Sequence, residues 1–287
     1  MKILIYGSSG FIGRYVVEVL KDNTLILPVR NTEKAENLFK DYENIYITHL
    51  DQYKPGISIE MEKPDVVINL IGILKEDPDR DITFEKVHFE FSKELINSAL
   101  KSNVKKFIQM SALGADINSK SRYLKTKAMA EQYLINSGLN YIIFRPSIIM
   151  GKEQKLFQDL KKYSKLSPFF LAPVDVKVQP VHVLDVAECF KKVSLENIRN
   201  EIFELCGNRV ITFKELFEFA LLYIDTTRPV IGVPKKFFLP LIPIFSLFPD
   251  PIMTLDQYYM LEKDNVCSKN FRGVKELLGK VRDAFNI

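Results

Sequence analysis

The chain has 287 residues, of which 47% are hydrophobic and 26% charged, and its 40 Lys and Arg against 36 Asp and Glu give a formal net charge of +4. This length permits one large domain or two lobes around a substantial core, and the charged fraction excludes a disordered, collagen-like or coiled-coil chain. The small positive surplus forms no basic stripe interleaved with aromatic residues, so we expect no nucleic-acid partner.

The first half of the sequence alternates short apolar runs with longer amphipathic stretches. The runs are four to six residues long and predict six strands: Ile3–Tyr6, Leu25–Val29, Ile45–Thr48, Val66–Leu70, Phe107–Met110 and Tyr141–Phe144. Because they hardly alternate with polar residues, we expect strands that are buried on both faces. The repeated order strand, helix, strand therefore predicts an α/β fold with a doubly wound parallel sheet.

Two of the predicted helices matter for the site. One begins near Thr83, and four apolar residues at helical spacing share its inner face: Phe84, Val87, Phe91 and Leu95. The other begins near residues 119–121, where serine hydroxyls suit an N-cap, and it carries Tyr123, Lys127 and Ala130 on one face.

After about residue 146 the pattern loosens. A single strand, Glu201–Leu205, is predicted between two helices. Asp185 stands where it would cap the first helix, Val186–Val193, and Thr212 where it would cap the second, Phe213–Tyr223.

These patterns predict a division of the chain at Arg145-Pro146. Residues 1–146 are expected to form the domain with the doubly wound sheet. Residues 147–287 are expected to form a smaller lobe that binds a substrate or docks a partner.

A glycine-rich turn directly follows the first predicted strand and opens a helix. Its first glycine permits a tight turn, its second lets a pyrophosphate approach the backbone, and its third lets helix and strand pack closely. The helix start would offer free N–H groups and a positive dipole end to the phosphates. We therefore expect a bound dinucleotide, held by Gly7, Ser9, Gly10, Phe11, Ile12 and Gly13. The alternative is a tight strand-to-helix turn that binds nothing.

The end of the second strand should lie beside the adenosine ribose. It carries Arg30 and no carboxylate before Glu33. Because an arginine pairs with a 2′-phosphate, whereas a carboxylate would bind the 2′-hydroxyl, this favours NADP(H), with NAD(H) as the alternative. A plain surface arginine is the competing interpretation. Pro28 suggests that the strand ladder ends there.

Two further residues are predicted beneath the cofactor. Asn69 and Gly72 close the fourth strand, at the sheet edge over which a dinucleotide would pass. Gly72 would permit a close approach of the backbone.

Tyr123 and Lys127 are four residues apart on a predicted helix and thus form a candidate catalytic pair. An ammonium nearby would lower the pKa of the phenol, which could then exchange a proton with a carbonyl or alcohol oxygen, and Lys127 would also hold the nicotinamide ribose. Ser111, at the end of the fifth strand, could donate a hydrogen bond to the same oxygen. The alternatives are an exposed helical pair and a serine that caps a strand.

The spacing alone is weak, since a second such pair, Tyr259 with Lys263, is also present. Only the position of Tyr123 and Lys127 after the fifth strand favours them as the catalytic pair.

The cysteines and histidines suggest neither a disulfide framework nor a metal site. Cys189, Cys206 and Cys267 are odd in number and far apart, which argues against disulfides and for a reducing compartment. The three histidines share no metal-ligand spacing with them. No secretory signal or membrane-spanning run is recognised, so we expect a cytoplasmic protein, soluble or peripheral on the inner face of a membrane.

Residues 237–248 form an apolar stretch whose single polar side chain is Ser246. As a helix it would be about 18 Å long, short of a bilayer core of about 30 Å, and Pro240 and Pro243 would break it. It is expected either to pack within the second lobe or to dock on a lipid surface or membrane-embedded partner, with Lys235 and Lys236 facing the headgroups.

Together these motifs resemble the atypical short-chain dehydrogenase/reductases, and within them the nucleotide-binding accessory subunit of respiratory complex I and its bacterial relatives. The segments that carry the resemblance span most of the chain: 7–17, 28–30, 66–72, 111–115, 121–128, 145–147, 179–187 and 263–266.

The resemblance implies a Rossmann lobe that holds NADPH, with Arg30 on the nucleotide and Tyr123 and Lys127 beside the nicotinamide. It leaves two functions open. One is an oxidoreductase, or an epimerase or dehydratase, acting on an unknown small molecule. The other is a nucleotide-bound accessory or assembly subunit of a membrane respiratory complex. A redox-sensing regulator is disfavoured, because such proteins lose the catalytic tyrosine.

Overall fold

The computed structural model describes residues 1–245 and 253–287. The elements up to residue 146 are strands β1 (Lys2–Tyr6), β2 (Thr24–Val29), β3 (Ile45–His49), β4 (Val66–Asn69), β5 (Lys106–Met110) and β6 (Tyr141–Pro146), and helices α1 (Phe11–Leu20), α2 (Thr32–Phe39), α3 (Ile57–Glu62), α4 (Phe91–Lys101) and α5 (Arg122–Ile135). A 3₁₀ turn covers Pro78–Arg80, and a π-helical segment, Glu85–Glu90, leads into α4.

The remaining elements are strands β7 (Ile149–Met150), β8 (Phe170–Pro173), β9 (Lys177–Val178), β10 (Val181–His182), β11 (Glu201–Leu205), β12 (Ile211–Thr212) and β13 (Val230–Val233), and helices α6 (Lys155–Tyr163), α7 (Val183–Leu195), α8 (Phe213–Tyr223), α9 (Ile242–Phe245), α10 (Leu255–Met260) and α11 (Val274–Leu278). Two 3₁₀ turns, Lys235–Phe237 and Leu239–Leu241, precede α9.

The central sheet has seven parallel strands in the order β11-β6-β5-β4-β1-β2-β3. The predicted fold class is confirmed, with all six predicted strands in place. The strand order reverses between β1 and β4, and in such sheets ligands bind in the crevice outside the carboxyl ends of the strands at that reversal.

Each face of the sheet has its own core because successive residues of a strand point to opposite sides. Ile3 and Ile5 of β1 pack with α1, α2, α7 and α11 on one face. Leu4 and Tyr6 pack with α3, α4 and α5 on the other. Burial on both faces is the physical reason that the strands read as continuous apolar runs.

The strand Glu201–Leu205, which we expected in the smaller lobe, instead pairs with β6 in the central sheet. Helix α7 likewise packs with α1 on the main core. The chain therefore returns to the sheet after leaving it at residue 147. The remaining second-half strands form short pairs, β7 with β10, β8 with β13 and β9 with β12. The last two pairs lie around a separate apolar cluster, whereas Ile149 and Val181 of the first pair pack in the main core.

Two cap predictions have different outcomes. Thr212 caps α8 and forms a reciprocal capping box with Glu215, as expected. Asp185 does not cap α7: the helix begins earlier, and His182 accepts the hydrogen bond from the N–H of Leu184. Asp185 lies fully buried in the first turn, where its carboxylate pairs with the backbone N–H and guanidinium of Arg282.

Two other expectations are wrong. The β2–β3 ladder continues through Pro28 to Val29. Pro28 is tolerated because the β1–β2 pairing has already ended at Ile26. Cys206 and Cys267 form a disulfide despite their 61-residue separation, because the carboxy-terminal segment returns to the end of β11.

Among the helices of the described residues, none is long and apolar enough to cross a membrane.

The buried pair between Asp185 and Arg282 ties the carboxy-terminal segment to the main core, which yields a stability prediction. Asp185→Asn should lower the free energy of unfolding by about 3 kcal/mol, because removing one partner leaves the other charge without compensation. Urea denaturation measures this. Glu188→Gln, a partly exposed change one turn further along α7, is the control, and equal stability of the two variants would contradict the assignment.

Candidate functional site

The glycine turn between β1 and α1 has the backbone geometry that the sequence predicts. Gly7 has φ +81°, a conformation that favours glycine, and its carbonyl accepts a hydrogen bond of 3.1 Å from the N–H of Gly10. A Cβ on Gly13 would lie 2.1 Å from the Gly7 oxygen and 2.6 Å from the Ser8 oxygen. Only glycine at position 13 therefore lets α1 start so close to the end of β1.

The start of α1 offers unpaired donors. Gly10 is its N-cap and is exposed, and as a glycine it has no side chain that could cap the helix. The amide groups of the first turn, including those of Phe11 and Ile12, thus remain available to an anion. The buried Ser8 hydroxyl also lacks a hydrogen-bond partner within the described chain. This cradle fits the phosphates of a dinucleotide.

The other residues of the turn have distinct positions. The Phe11 ring packs on Gly151, since a Cβ there would lie 2.9 Å from two ring carbons. Ile12 packs on the main core, and Ser9 is half-buried beside Gly10.

Arg30 is exposed and follows directly on the end of β2, next to Asn31, whose side chain caps α2. This is the position predicted for a side chain that contacts the 2′-hydroxyl or 2′-phosphate of the adenosine ribose. Within the described chain no ion pair holds its guanidinium, so the charge is available to a phosphate.

Asn69 is fully buried and its amide is occupied. Its Nδ2 donates to the Ser92 hydroxyl and to Gln109 Oε1, both at 3.1 Å, and its Oδ1 accepts from the N–H of Ile71. Asn69 thereby shapes the turn after β4 that carries Gly72. A direct contact of Asn69 with a cofactor stays a prediction.

Lys127 is buried at the carboxyl edge of the sheet, where two strands end. Its Nζ donates to the carbonyl oxygens of Ile71, at 3.3 Å, and Met110, at 3.2 Å. A Cβ on Gly72 would lie 3.1 Å from this nitrogen, so the glycine leaves room for the ammonium. Burial lowers the pKa of Lys127 to about 8, against the opposing effect of Glu131.

His88, which no sequence pattern singles out, lies beside this lysine. Its Nε2 accepts a hydrogen bond from the N–H of Ile73, so the proton is on Nδ1, which faces the Thr126 hydroxyl at 3.1 Å. Burial, and then the charge of Lys127, lowers the pKa of His88 to about 2, so the ring stays neutral. The apolar pattern gave no signal for it, because the π-helical segment turns His88 inward while Val87 is only half-buried.

Tyr123 lies one turn before Lys127, and its ring packs edge-on against His88 at 5.2 Å and Phe84 at 5.7 Å between centroids. Burial, followed by the charge of Asp256, raises the pKa of Tyr123 to about 12. The predicted lowering of this pKa by Lys127 is therefore wrong. The lysine is held by backbone carbonyls, and desolvation of the phenolate dominates.

Ser111 directly follows Met110, whose carbonyl binds Lys127. Its N–H donates to the carbonyl of Phe144 at 2.7 Å, which fixes its backbone. Its hydroxyl is buried and has no partner within the described residues. A buried, unpaired hydroxyl fits a group that receives a ligand oxygen.

The second tyrosine–lysine pair lies outside this cluster. The Tyr259 ring packs under Lys120, and Lys263 forms an exposed ion pair with Asp116. In residues 1–245 and 253–287, no three or more His, Cys, Asp or Glu side chains group to hold a metal ion.

Comparison with known proteins places this geometry in a family. The model of the NAD(P)H-binding family matches residues 7–168. The chain is 28% identical over 280 residues to the mitochondrial NADH-ubiquinone oxidoreductase 40 kDa subunit of Neurospora crassa, covering 95% of this chain and 74% of that protein. It is 29% identical over 287 residues to the mitochondrial NADH dehydrogenase [ubiquinone] 1 alpha subcomplex subunit 9 of Arabidopsis thaliana, covering 93% and 71%.

A solved structure has the same fold at lower identity. The crystal structure of a nucleoside-diphosphate-sugar epimerase from Staphylococcus aureus matches with a TM-score of 0.75 and 17% identity, covering 99% of this chain and 98% of that one. The resemblance to subunits of the respiratory NADH dehydrogenase and to epimerase-type folds is thus confirmed. Because the family model spans more than half of the chain, this protein belongs to the NAD(P)H-binding family.

Proposed function

We propose that this protein is an NAD(P)H-dependent oxidoreductase of the short-chain dehydrogenase/reductase type, which acts on a carbonyl or alcohol group of a small molecule. The observation that carries the proposal is the convergence of Lys127, the Ser111 loop and the Tyr123 helix at the same edge of the sheet as the glycine turn. Substrates that epimerise through a carbonyl intermediate belong to the same chemical class.

The roles of the residues follow from their protonation. When bound, the nicotinamide would supply a hydride to a carbonyl carbon. With a pKa of about 12, the Tyr123 phenol keeps its proton at neutral pH, which suits it to donate that proton to the carbonyl oxygen. The Ser111 hydroxyl would hydrogen-bond the same oxygen. Lys127 would place its ammonium by the nicotinamide ribose.

Tyr123→Phe should lower the turnover of carbonyl reduction by about 100-fold or more, because the proton donor is lost. The affinity for NADPH should change by less than about twofold, since the glycine turn is untouched. The measurement is NADPH oxidation against a panel of aldehydes, ketones and nucleotide sugars, with calorimetry for NADPH. Tyr259→Phe removes a phenol outside the cluster and should keep full activity. Undiminished turnover in Tyr123→Phe refutes the role of the phenol.

The pH dependence gives a second readout on the same assay. The charged form of Lys127, with a pKa of about 8, is present below that pH and lost above it. The phenol of Tyr123 stays protonated over this range. Reduction should therefore be constant from about pH 6 to 7 and decline as the pH rises through about 8. A rate of reduction that falls as the pH is lowered from about 7 to 6 would contradict the role of the charged Lys127.

We further propose that the cofactor is NADP(H), because Arg30 offers an exposed positive charge at the end of β2 and Glu33 is the first carboxylate after it. Arg30→Ala should weaken NADPH binding by about tenfold or more, the loss of a charge-assisted hydrogen bond, and leave NADH binding within about twofold. Calorimetric titration with both nucleotides measures this. Lys40→Ala, which removes an exposed charge at the end of α2, should affect neither, and equal losses for both nucleotides in Arg30→Ala would exclude the 2′-phosphate contact.

A second candidate function is a nucleotide-bound accessory or assembly subunit of a membrane respiratory complex. The relatives named above favour it, and so does an apolar surface: Phe237, Leu239 and Ile244 are 54%, 46% and 54% exposed. The segment forms short turns and not one long helix, with Pro240 inside the turn Leu239–Leu241 and Pro243 inside α9. Its residues 246–248 lie outside the described residues. We expected the Lys235 side chain to face outward, towards lipid headgroups. Instead, its Nζ donates hydrogen bonds to the carbonyls of Leu261 and Glu262.

The double variant Phe237→Ser with Ile244→Ser tests the second function. If the apolar surface docks on a membrane complex, the wild type should sediment with membranes that carry NADH:quinone reductase activity, and the variant should move to the soluble fraction. Leu222→Ser, a change on α8 at a residue that is 76% exposed, is the control for general loss of apolar surface. Identical fractionation of all three proteins counts against docking through these residues.

A further inference from the structure

The carboxylate of Asp256 lies at the first turn of α5, the helix that carries Tyr123. Its Oδ2 accepts a hydrogen bond of 2.8 Å from the Ser121 hydroxyl, and its Oδ1 accepts one of 2.5 Å from the N–H of Arg122. A longer contact of 3.4 Å joins the N–H of Tyr123 to Oδ2. Three donors at one helix start therefore converge on a side chain that comes from α10.

The direction of these hydrogen bonds is determined by the donors available. The Ser121 hydroxyl accepts from the N–H of Leu124 as the N-cap of α5, and its only proton points to Asp256. A helix start leaves unpaired N–H groups and a positive dipole end, and a carboxylate satisfies both. Asp256 thus completes the cap that Ser121 begins.

The segment around Asp256, which we call the strap (residues 254–263), has further contacts with the loop that leads into α5. Glu262 forms an ion pair of 2.8 Å with Lys120, and Lys263 forms one of 3.3 Å with Asp116. These pairs are exposed and contribute little on their own. They keep the strap beside the loop, whereas Asp256 is the strap residue that reaches the helix itself.

We propose that Asp256 is a positioning residue for Tyr123. Asp256 holds the first turn of α5 so that the phenol lies at the carboxyl edge of the sheet, where the nicotinamide would bind. The inference rests on the proposed function, in which this phenol is the proton donor. On its other side the Tyr123 ring meets Phe84 and His88, so Asp256 supplies the restraint on the backbone and these rings supply the restraint on the side chain.

The charge of Asp256 has a second consequence for the phenol. It adds to the effect of burial in raising the pKa of Tyr123. The other charged or titratable groups near Tyr123 are His88, which is neutral, Lys127, which is held by carbonyls, and Arg122, which pairs with Glu76 at 2.7 Å. Removal of the Asp256 charge should therefore lower the pKa of the phenol.

Asp256→Asn is the variant that tests the proposal, because it keeps the size of the side chain and removes the charge and one acceptor. We expect hydrogen exchange at the amides of residues 122–124 to rise by about tenfold, carbonyl reduction to slow by about tenfold, and the NADPH dissociation constant to stay within about twofold. The pH profile of the reverse alcohol oxidation, which needs the phenolate, should shift to lower pH. Asp256→Glu, which keeps the charge, should recover part of the turnover.

Glu262→Gln is the matched control, since it removes a carboxylate from the same strap without touching α5. Unchanged exchange at residues 122–124 in Asp256→Asn, or an equal rise in Glu262→Gln, overturns the proposal. A wild-type protein that binds NADPH but reduces no carbonyl refutes the proposed function alone. In that case the exchange data and the fluorescence of bound NADPH, which reports on the surroundings of the nicotinamide, still decide whether Asp256 places Tyr123 there.

Discussion

The site depends on one close approach of backbone to backbone, between the end of β1 and the start of α1. A Cβ on Gly13 would lie only 2.1 Å from the oxygen of Gly7, and Gly7 itself adopts a positive φ. Any other geometry would carry the helix away from the strand. Because of this close approach, the backbone N–H groups in the first turn of α1 lie at the carboxyl edge of the sheet, beside the reversal of strand order between β1 and β4.

The rest of the site is built on buried polar groups that are almost completely paired. The ammonium of Lys127 is held by the carbonyls of Met110, at the end of β5, and Ile71, in the turn after β4. The ring of His88 is held by a backbone N–H and a hydroxyl, and the amide of Asn69 by three partners. Unpaired groups would be costly at this depth. The hydroxyls of Ser8 and Ser111 are exceptions, since neither has a hydrogen-bond partner within the described residues.

The second half of the chain contributes to the first more than a separate lobe would. Strand β11 and helix α7 complete the main sheet and core, and the pair of Asp185 with Arg282 and the disulfide of Cys206 with Cys267 hold the carboxy-terminal segment against them. The strap then reaches the start of α5 through Asp256. Hydrogen-bonded segments of the second half of the chain therefore reach the edge of the sheet at which the glycine turn lies.

The sequence by itself determined the fold class, the glycine turn and the helix of Tyr123 and Lys127, because strand burial, tight turns and helix caps depend on residues that are close along the chain. Only the tertiary structure decided the partners of Lys127, the inward position of His88, the disulfide, and the link from Asp256 to α5. Each of these depends on contacts between distant segments, and desolvation sets the pKa of Tyr123 in a way that residue spacing cannot express.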